Sequence, residues 1–169
     1  MLFRSMPNVV VCPHEMTALS AAHGYAMITR RPQLVLVHVD IGTQNLGGSV
    51  HNAARGRVPA IVIAGLSPVT DGGHRVGARN EFIHYIQDMP RQHEIVAPYM
   101  KWCYEVRAPE SVASVMARAI QTSMTPPEGP VYLTGAREVW EERIPEAVSS
   151  LQDWPASRLG GLRETEVSE

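Results

Sequence analysis

Residues 8–30, NVVVCPHEMTALSAAHGYAMITR, set a short apolar run against a helix-period stretch, with one acidic residue at the join. Asn8 to Cys12 (NVVVC) is continuously apolar after its first residue, the pattern of a strand covered on both faces. From Glu15 to Arg30, Leu19, Ala22, Ala26 and Thr29 recur at three- and four-residue spacing, which predicts a helix. Arg30, Arg31 and Pro32 then give a basic last turn and a stop. The small residues on this helix predict close packing on a sheet.

The same rhythm continues outward. Gln33 to Val39 (QLVLVHV) reads as a second strand, Asp40 to Asn45 (DIGTQN) as a turn and Leu46 to Arg57 as a short Gly-tolerant helix. Ala60 to Ala64 is a third strand, and Gly65 to Asn80 has the Gly, Ser, Pro and Asp content of a long surface loop. A short helix is predicted over Glu81 to Met89 and a strand over Lys101 to Val106 (KWCYEV). Pro109 to Met124 is the clearest helix, with Val112, Val115, Met116, Ala119 and Ile120 on one face and Pro126 and Pro127 after it. Gly129 to Leu133 (GPVYL) is a further buried-type strand. Strands alternating with helices predict an α/β fold in three layers, with a mostly parallel sheet and helices on both faces.

Composition bounds what such a domain can do. The 169 residues suit one domain, and 44% hydrophobic against 19% charged content excludes a disordered polyampholyte. Fifteen Lys and Arg against 17 Asp and Glu, with no basic stripe, argue against a nucleic-acid partner. Cys12 and Cys103 lie far apart and outside any CxxC spacing, so neither a disulfide framework nor a zinc ribbon is indicated, which fits an intracellular, cytoplasmic setting. The longest apolar runs, such as Val58 to Leu66, fall short of the roughly 20 residues of a membrane helix, so no membrane partner is expected. Residues 1–6 read as a start outside the native pattern, 7–150 as the globular domain, and 151–169 as a polar linker or tail.

Chemistry has two candidate seats, both at strand exits, where α/β sheets bind ligands. One is Glu15, which the residues alone also allow to be a plain helix-start acid stabilised by the dipole. The other is Asp40 to Asn45, where Gly42 permits close backbone approach and Asn45 is either a ligand-facing polar group or a helix cap. Cys12 and His14, two apart on an expected strand, would share a face, the first requirement of a cysteine hydrolase. No orienting acid accompanies them. His14 and Glu15 open an HE pair, but the next histidine is His23, not the one HExxH requires. The seven histidines otherwise lack ligand spacing.

Several motifs in order break the tie. The strand with Pro13, His14 and Glu15, AAHGYA (Ala21 to Ala26), GTQN (Gly42 to Asn45), NAARGRVPAIVIAG (Asn52 to Gly65), IQD (Ile86 to Asp88), MKW (Met100 to Trp102) and GPVYL resemble the pyrimidine-binding domain of thiamine diphosphate-dependent enzymes. Acetohydroxyacid synthase large subunits read much like this over residues 7 to 145. The resemblance implies that Glu15 hydrogen-bonds N1′ of the cofactor pyrimidine. A carboxyl sharing that proton favours the imino tautomer, whose nitrogen can deprotonate thiazolium C2 for chemistry on 2-keto acids, decarboxylation or carboligation. It also implies that Gly42 and Asn45 line the cofactor, that Gln87 faces the active site, and that His14 is either a second polar group there or a surface residue. Asp40, Ile41 and Gly42 replace the Gly-Pro-Gly common in synthases.

Two family features are missing from the sequence. There is no Gly-Asp-Gly motif with a following Asn, so the diphosphate and its Mg2+ are expected to be held by another domain, in a homo- or hetero-oligomer. Only 14 residues precede Glu15, so the family's first strand and helix are expected to be lacking. The rival expectation is a non-catalytic α/β interaction module or inactive fragment of such an enzyme.

Overall fold

The computed structural model describes residues 8–144. Helix α1 spans Glu15–Thr29 and starts at His14, whose Nδ1 accepts from the Met16 amide at 3.1 Å. It stops at Arg30, held at φ 58° in the left-handed region. Leu19, Ala22 and Ala26, one turn apart, are its buried residues. Small side chains at two of those positions let the helix lie close on the sheet.

The sheet has four parallel strands in the order β1 (Gln33–Val37), β2 (Ala60–Leu66), β4 (Val131–Ala136), β3 (Trp102–Val106). All six residues of β4 are buried, as a central strand covered on both faces requires. Register places Val35, Val62, Tyr132 and Cys103 in one row across the sheet. Strand alternation sends that row to one face, where Leu19 and Ala22 of α1, Leu46, and Val50 of α3 (Gly48–Arg55) complete a core. The opposite face carries Ile61, Val106, Val131 and Leu133 against Val115 and Ala119 of α5 (Val112–Met124). The three layers are those expected.

The structure corrects several element boundaries. Asn8 to Cys12 forms no strand: Val9, Val10 and Val11 are 76%, 81% and 89% exposed. Apolarity alone makes no strand, because the backbone groups need a neighbour in register, and none of the four strands pairs with this run. Correspondingly, the outer edge of β1 has no partner among the described residues. Leu34 and Leu36, which point away from the α1 core, are exposed there.

The second strand ends at Val37, and Asp40 to Asn45 is not a turn but most of helix α2 (Val39–Gln44). Val39 and Thr43 bury on the same side one turn apart, and the Thr43 hydroxyl donates to the Val39 carbonyl at 2.8 Å. A single glycine without proline did not suffice to break it. The expected helix at Glu81 to Met89 contracts to α4 (Ile83–Ile86). On α5 the buried residues are Val115, Ala119 and Ser123, while Ile120 is 42% exposed. The last strand continues to Ala136 and is followed by an unforeseen short helix, α6 (Arg137–Glu141). The expected non-native start, 1–6, and the whole polar tail, 151–169, lie outside the described residues.

The long loop after β2 is tied down by two charged residues. Arg79 donates from Nε to the Pro68 carbonyl at 2.7 Å, pairs with Asp88, and lies over the Tyr85 ring. Glu138 of α6, 1% exposed, accepts through Oε1 from the Val69 and Thr70 amides at 2.9 and 2.8 Å and from the Thr70 hydroxyl at 2.7 Å. Gly77, at φ 85°, passes so close to Glu138 that a Cβ would sit 2.9 Å from its backbone nitrogen. Burial pushes the Glu138 carboxyl up, but the hydrogen bonds from Thr70, its own backbone and Val69 outweigh that and leave it below the ordinary glutamate value.

A depressed folded-state pKa contributes stability that is present above the unfolded value and lost as pH falls through the folded one. The urea midpoint is therefore expected to drop as pH falls below about 4.5, and Glu138→Gln is expected to be less stable at neutral pH with a shallower acid limb. Equal acid limbs in the two proteins would contradict this account.

Candidate functional site

Glu15 stands where the chain enters α1, half-buried, at the carboxyl end of the sheet. Two residues of the segment following β1 meet its carboxylate. Asn45, the C-cap of α2, donates from Nδ2 to Glu15 Oε2 at 3.2 Å. Gly42, one turn back, leaves room on the other side: a Cβ there would lie 3.3 Å from Glu15 Oε1 and 3.3 Å from both His38 Cβ and the Val37 carbonyl carbon. One oxygen is thus held while the other lies over bare backbone, with no hydrogen bond to protein among the described residues. Met16 and Ile41, 46% and 52% exposed, are the neighbouring apolar side chains in sequence.

Three residues singled out from sequence therefore meet in space: Glu15, Gly42 and Asn45. Asn45 caps the end of α2, not the start of the next helix, whose N-cap is Gly47. His14 is an exposed N-cap with its Nδ1 engaged by the Met16 amide. Gln87 is the half-buried C-cap of α4 on a separate loop and makes no hydrogen bond to the Glu15 group. The Cys12 and His14 pairing loses its premise, because no strand runs through them to align their side chains.

Sequence reading missed a buried cluster directly behind α2. Tyr132 of β4, Thr43 of α2 and Gln92, in a 3-10 turn at Gln92–Ile95, are 0%, 1% and 2% exposed. Tyr132 Oη lies 2.7 Å from Thr43 Oγ1, and Gln92 Nε2 donates to Tyr132 Oη at 2.9 Å and to the Gly65 carbonyl at 3.0 Å. Burial pushes the Tyr132 phenol up, against the opposing effect of its bonds to Gln92 and Thr43. Only the apolar context of Tyr132 was visible beforehand, and its tip needs polar partners once buried.

Against known proteins, residues 2–95 match the family described as thiamine pyrophosphate enzyme, N-terminal TPP binding domain. The chain belongs to that family. It is 28% identical over 138 residues to a benzoylformate decarboxylase of Pseudomonas aeruginosa, covering 82% of this chain and 24% of that protein. An acetolactate synthase large subunit of Mycobacterium tuberculosis is 24% identical over 120 residues, 71% of this chain and 20% of that protein. The solved thiamine diphosphate-dependent 4-hydroxybenzoylformate decarboxylase of Rhodococcus jostii superposes with a TM-score of 0.68 at 26% identity, over 84% of this chain and 25% of that one. The chain thus spans about a quarter of the length of such relatives.

The described residues contain no group of three or more His, Cys, Asp or Glu placed to hold a metal ion, and no helix long and apolar enough to cross a membrane.

Gly42→Ala tests the geometry directly. The added methyl, 3.3 Å from Oε1, is expected to displace the Glu15 carboxylate by several tenths of an ångström and lengthen its bond to Asn45. A crystal structure of the variant with both groups unmoved would show that the hollow at Gly42 is incidental.

Proposed function

We propose that this chain is the pyrimidine-binding part of a thiamine diphosphate-dependent enzyme acting on 2-keto acids, with Glu15 as its catalytic carboxylate. The observation that carries the reading is the division of labour at Glu15, with Oε2 held by Asn45 and Oε1 left open over Gly42. That arrangement fits the pyrimidine end of the cofactor. A flat heteroaromatic ring nitrogen needs one oriented carboxyl oxygen, and a backbone without Cβ beside it allows close approach. When bound, the cofactor supplies a nucleophilic carbon and an electron sink for making or breaking the bond beside the keto group.

The chain's own residues then have simple duties. Glu15 shares a proton with the ring nitrogen through Oε1, while Asn45 fixes the carboxylate plane. Ile41 and Met16 offer apolar surface on which a ring can lie. Gln87, on the loop after β2, is assigned to the substrate side, and His14 to the cap of α1. The diphosphate and Mg2+ are assigned to a separate domain, supplied by a neighbouring chain or by further sequence, so the working unit is at least a pair of domains. Substrate choice between aryl and alkyl 2-keto acids is left to that assembled site. With its thiols free, the chain suits a reducing intracellular compartment.

The test is Glu15→Gln in the enzyme assembled with its diphosphate-binding domain. Turnover of 2-keto acid is expected to fall by about 10²-fold or more, with the thermal midpoint unchanged within a few degrees. Unaltered turnover would remove Glu15 from the chemistry. Calorimetric titration of the same assembly with thiamine diphosphate and Mg2+ is expected to show saturable heat, and its absence would favour a non-catalytic interaction module.

A further inference from the structure

The buried cluster behind α2 has one consistent arrangement of hydrogens. The Thr43 hydroxyl has a single proton, and it goes to the Val39 carbonyl at 2.8 Å. The Tyr132 hydroxyl must then donate to Thr43 Oγ1 at 2.7 Å, and it accepts in turn from Gln92 Nε2. The second Gln92 N–H goes to the Gly65 carbonyl at 3.0 Å. Every side-chain proton in the cluster is placed, and the chain of donors runs one way from the Gln92 turn to α2.

Location gives the cluster its meaning. Helix α2 has six residues, too few to hold a position by its own hydrogen bonds. Its attachment to the sheet is through the buried Val39 and Thr43. Thr43 adjoins Gly42, whose clearance to Glu15 Oε1 is only 3.3 Å for an added carbon, and lies two residues before Asn45, which holds Oε2. A shift of α2 relative to the sheet by even half an ångström would change both contacts at once. An apolar contact tolerates such sliding, whereas a saturated hydrogen-bond chain among groups less than 3% exposed does not.

We propose that Tyr132, Thr43 and Gln92 are positioning residues for the Glu15 carboxylate, fixing α2 and through it Gly42 and Asn45. This rests on the reading of Glu15 as the catalytic carboxylate. Tyr132 anchors the cluster to the central strand, Gln92 ties it to the end of β2, and Thr43 transmits the position to α2.

The experiment is a double-mutant cycle in the assembled enzyme. Tyr132→Phe is expected to lower kcat by about 10- to 100-fold with KM for the 2-keto acid changed by less than about threefold, as misplacement of a reacting group does. Thr43→Val is expected to match it and Thr43→Ser to restore most of the loss, so the proposal survives if Tyr132→Phe proves too unstable to assay. In the Glu15→Gln background, Tyr132→Phe is expected to change the residual turnover by less than about twofold, because the group being positioned is gone. An equal loss in both backgrounds would mark the cluster as merely structural and overturn the proposal, as would wild-type kcat in Tyr132→Phe beside an impaired Glu15→Gln. Wild-type turnover in Glu15→Gln itself would instead remove the reading beneath it.

Discussion

A carboxylate set against a bare stretch of backbone is the constraint on which the rest of this structure turns. Glu15 sits at the mouth of a parallel sheet, where the start of α1 meets the connection that follows β1, and both oxygens are governed by one short helix. Asn45 holds one oxygen, and the missing side chain of Gly42 lets the other lie close against backbone. Neither contact is costly alone, since a half-buried carboxylate keeps part of its hydration. What is demanding is their simultaneity, because the segment that provides both is barely longer than one and a half turns.

The fold answers that demand with a core differentiated by face. Against α5 the sheet packs through aliphatic side chains, with Ile61, Val131 and Leu133 meeting Val115 and Ala119, so that side fixes distance more than register. Towards α1 and α2 a tyrosine hydroxyl, a threonine hydroxyl and a glutamine amide interrupt the aliphatic packing. Apolar contacts supply most of the favourable free energy of folding, while groups that must satisfy one another specify a unique arrangement. The polar interruption of this face falls beside the helix that meets Glu15.

Much of this was legible in the sequence. Parallel strands buried on two faces announce themselves as aliphatic runs, and β2 and β4 were read to within a few residues. Glu15, Gly42 and Asn45 were picked out by their places at strand exits and by motif likeness. Other features were hidden for physical reasons. Asn8 to Cys12 looks like a strand because side-chain composition reports on burial, whereas a ladder also needs a neighbour. Helix α2 read as a turn because Gly42 and Asn45 suit turns locally, while burial of Val39 and Thr43 decided the matter tertiarily. The Gln92 cluster joins residues 40 to 89 positions apart, a separation no local pattern encodes.

One feature of the sheet bears on where it could be extended. Along the outer side of β1 the peptide groups have no strand beside them among the described residues, Leu34 and Leu36 are exposed, and three exposed valines lie upstream. The five residues of β1 include no charge and no proline, although Arg31 and Pro32 stand immediately before it. An unpaired row of peptide groups of this kind is the place on the sheet where a further strand would add, well away from the carboxylate at the strands' carboxyl ends.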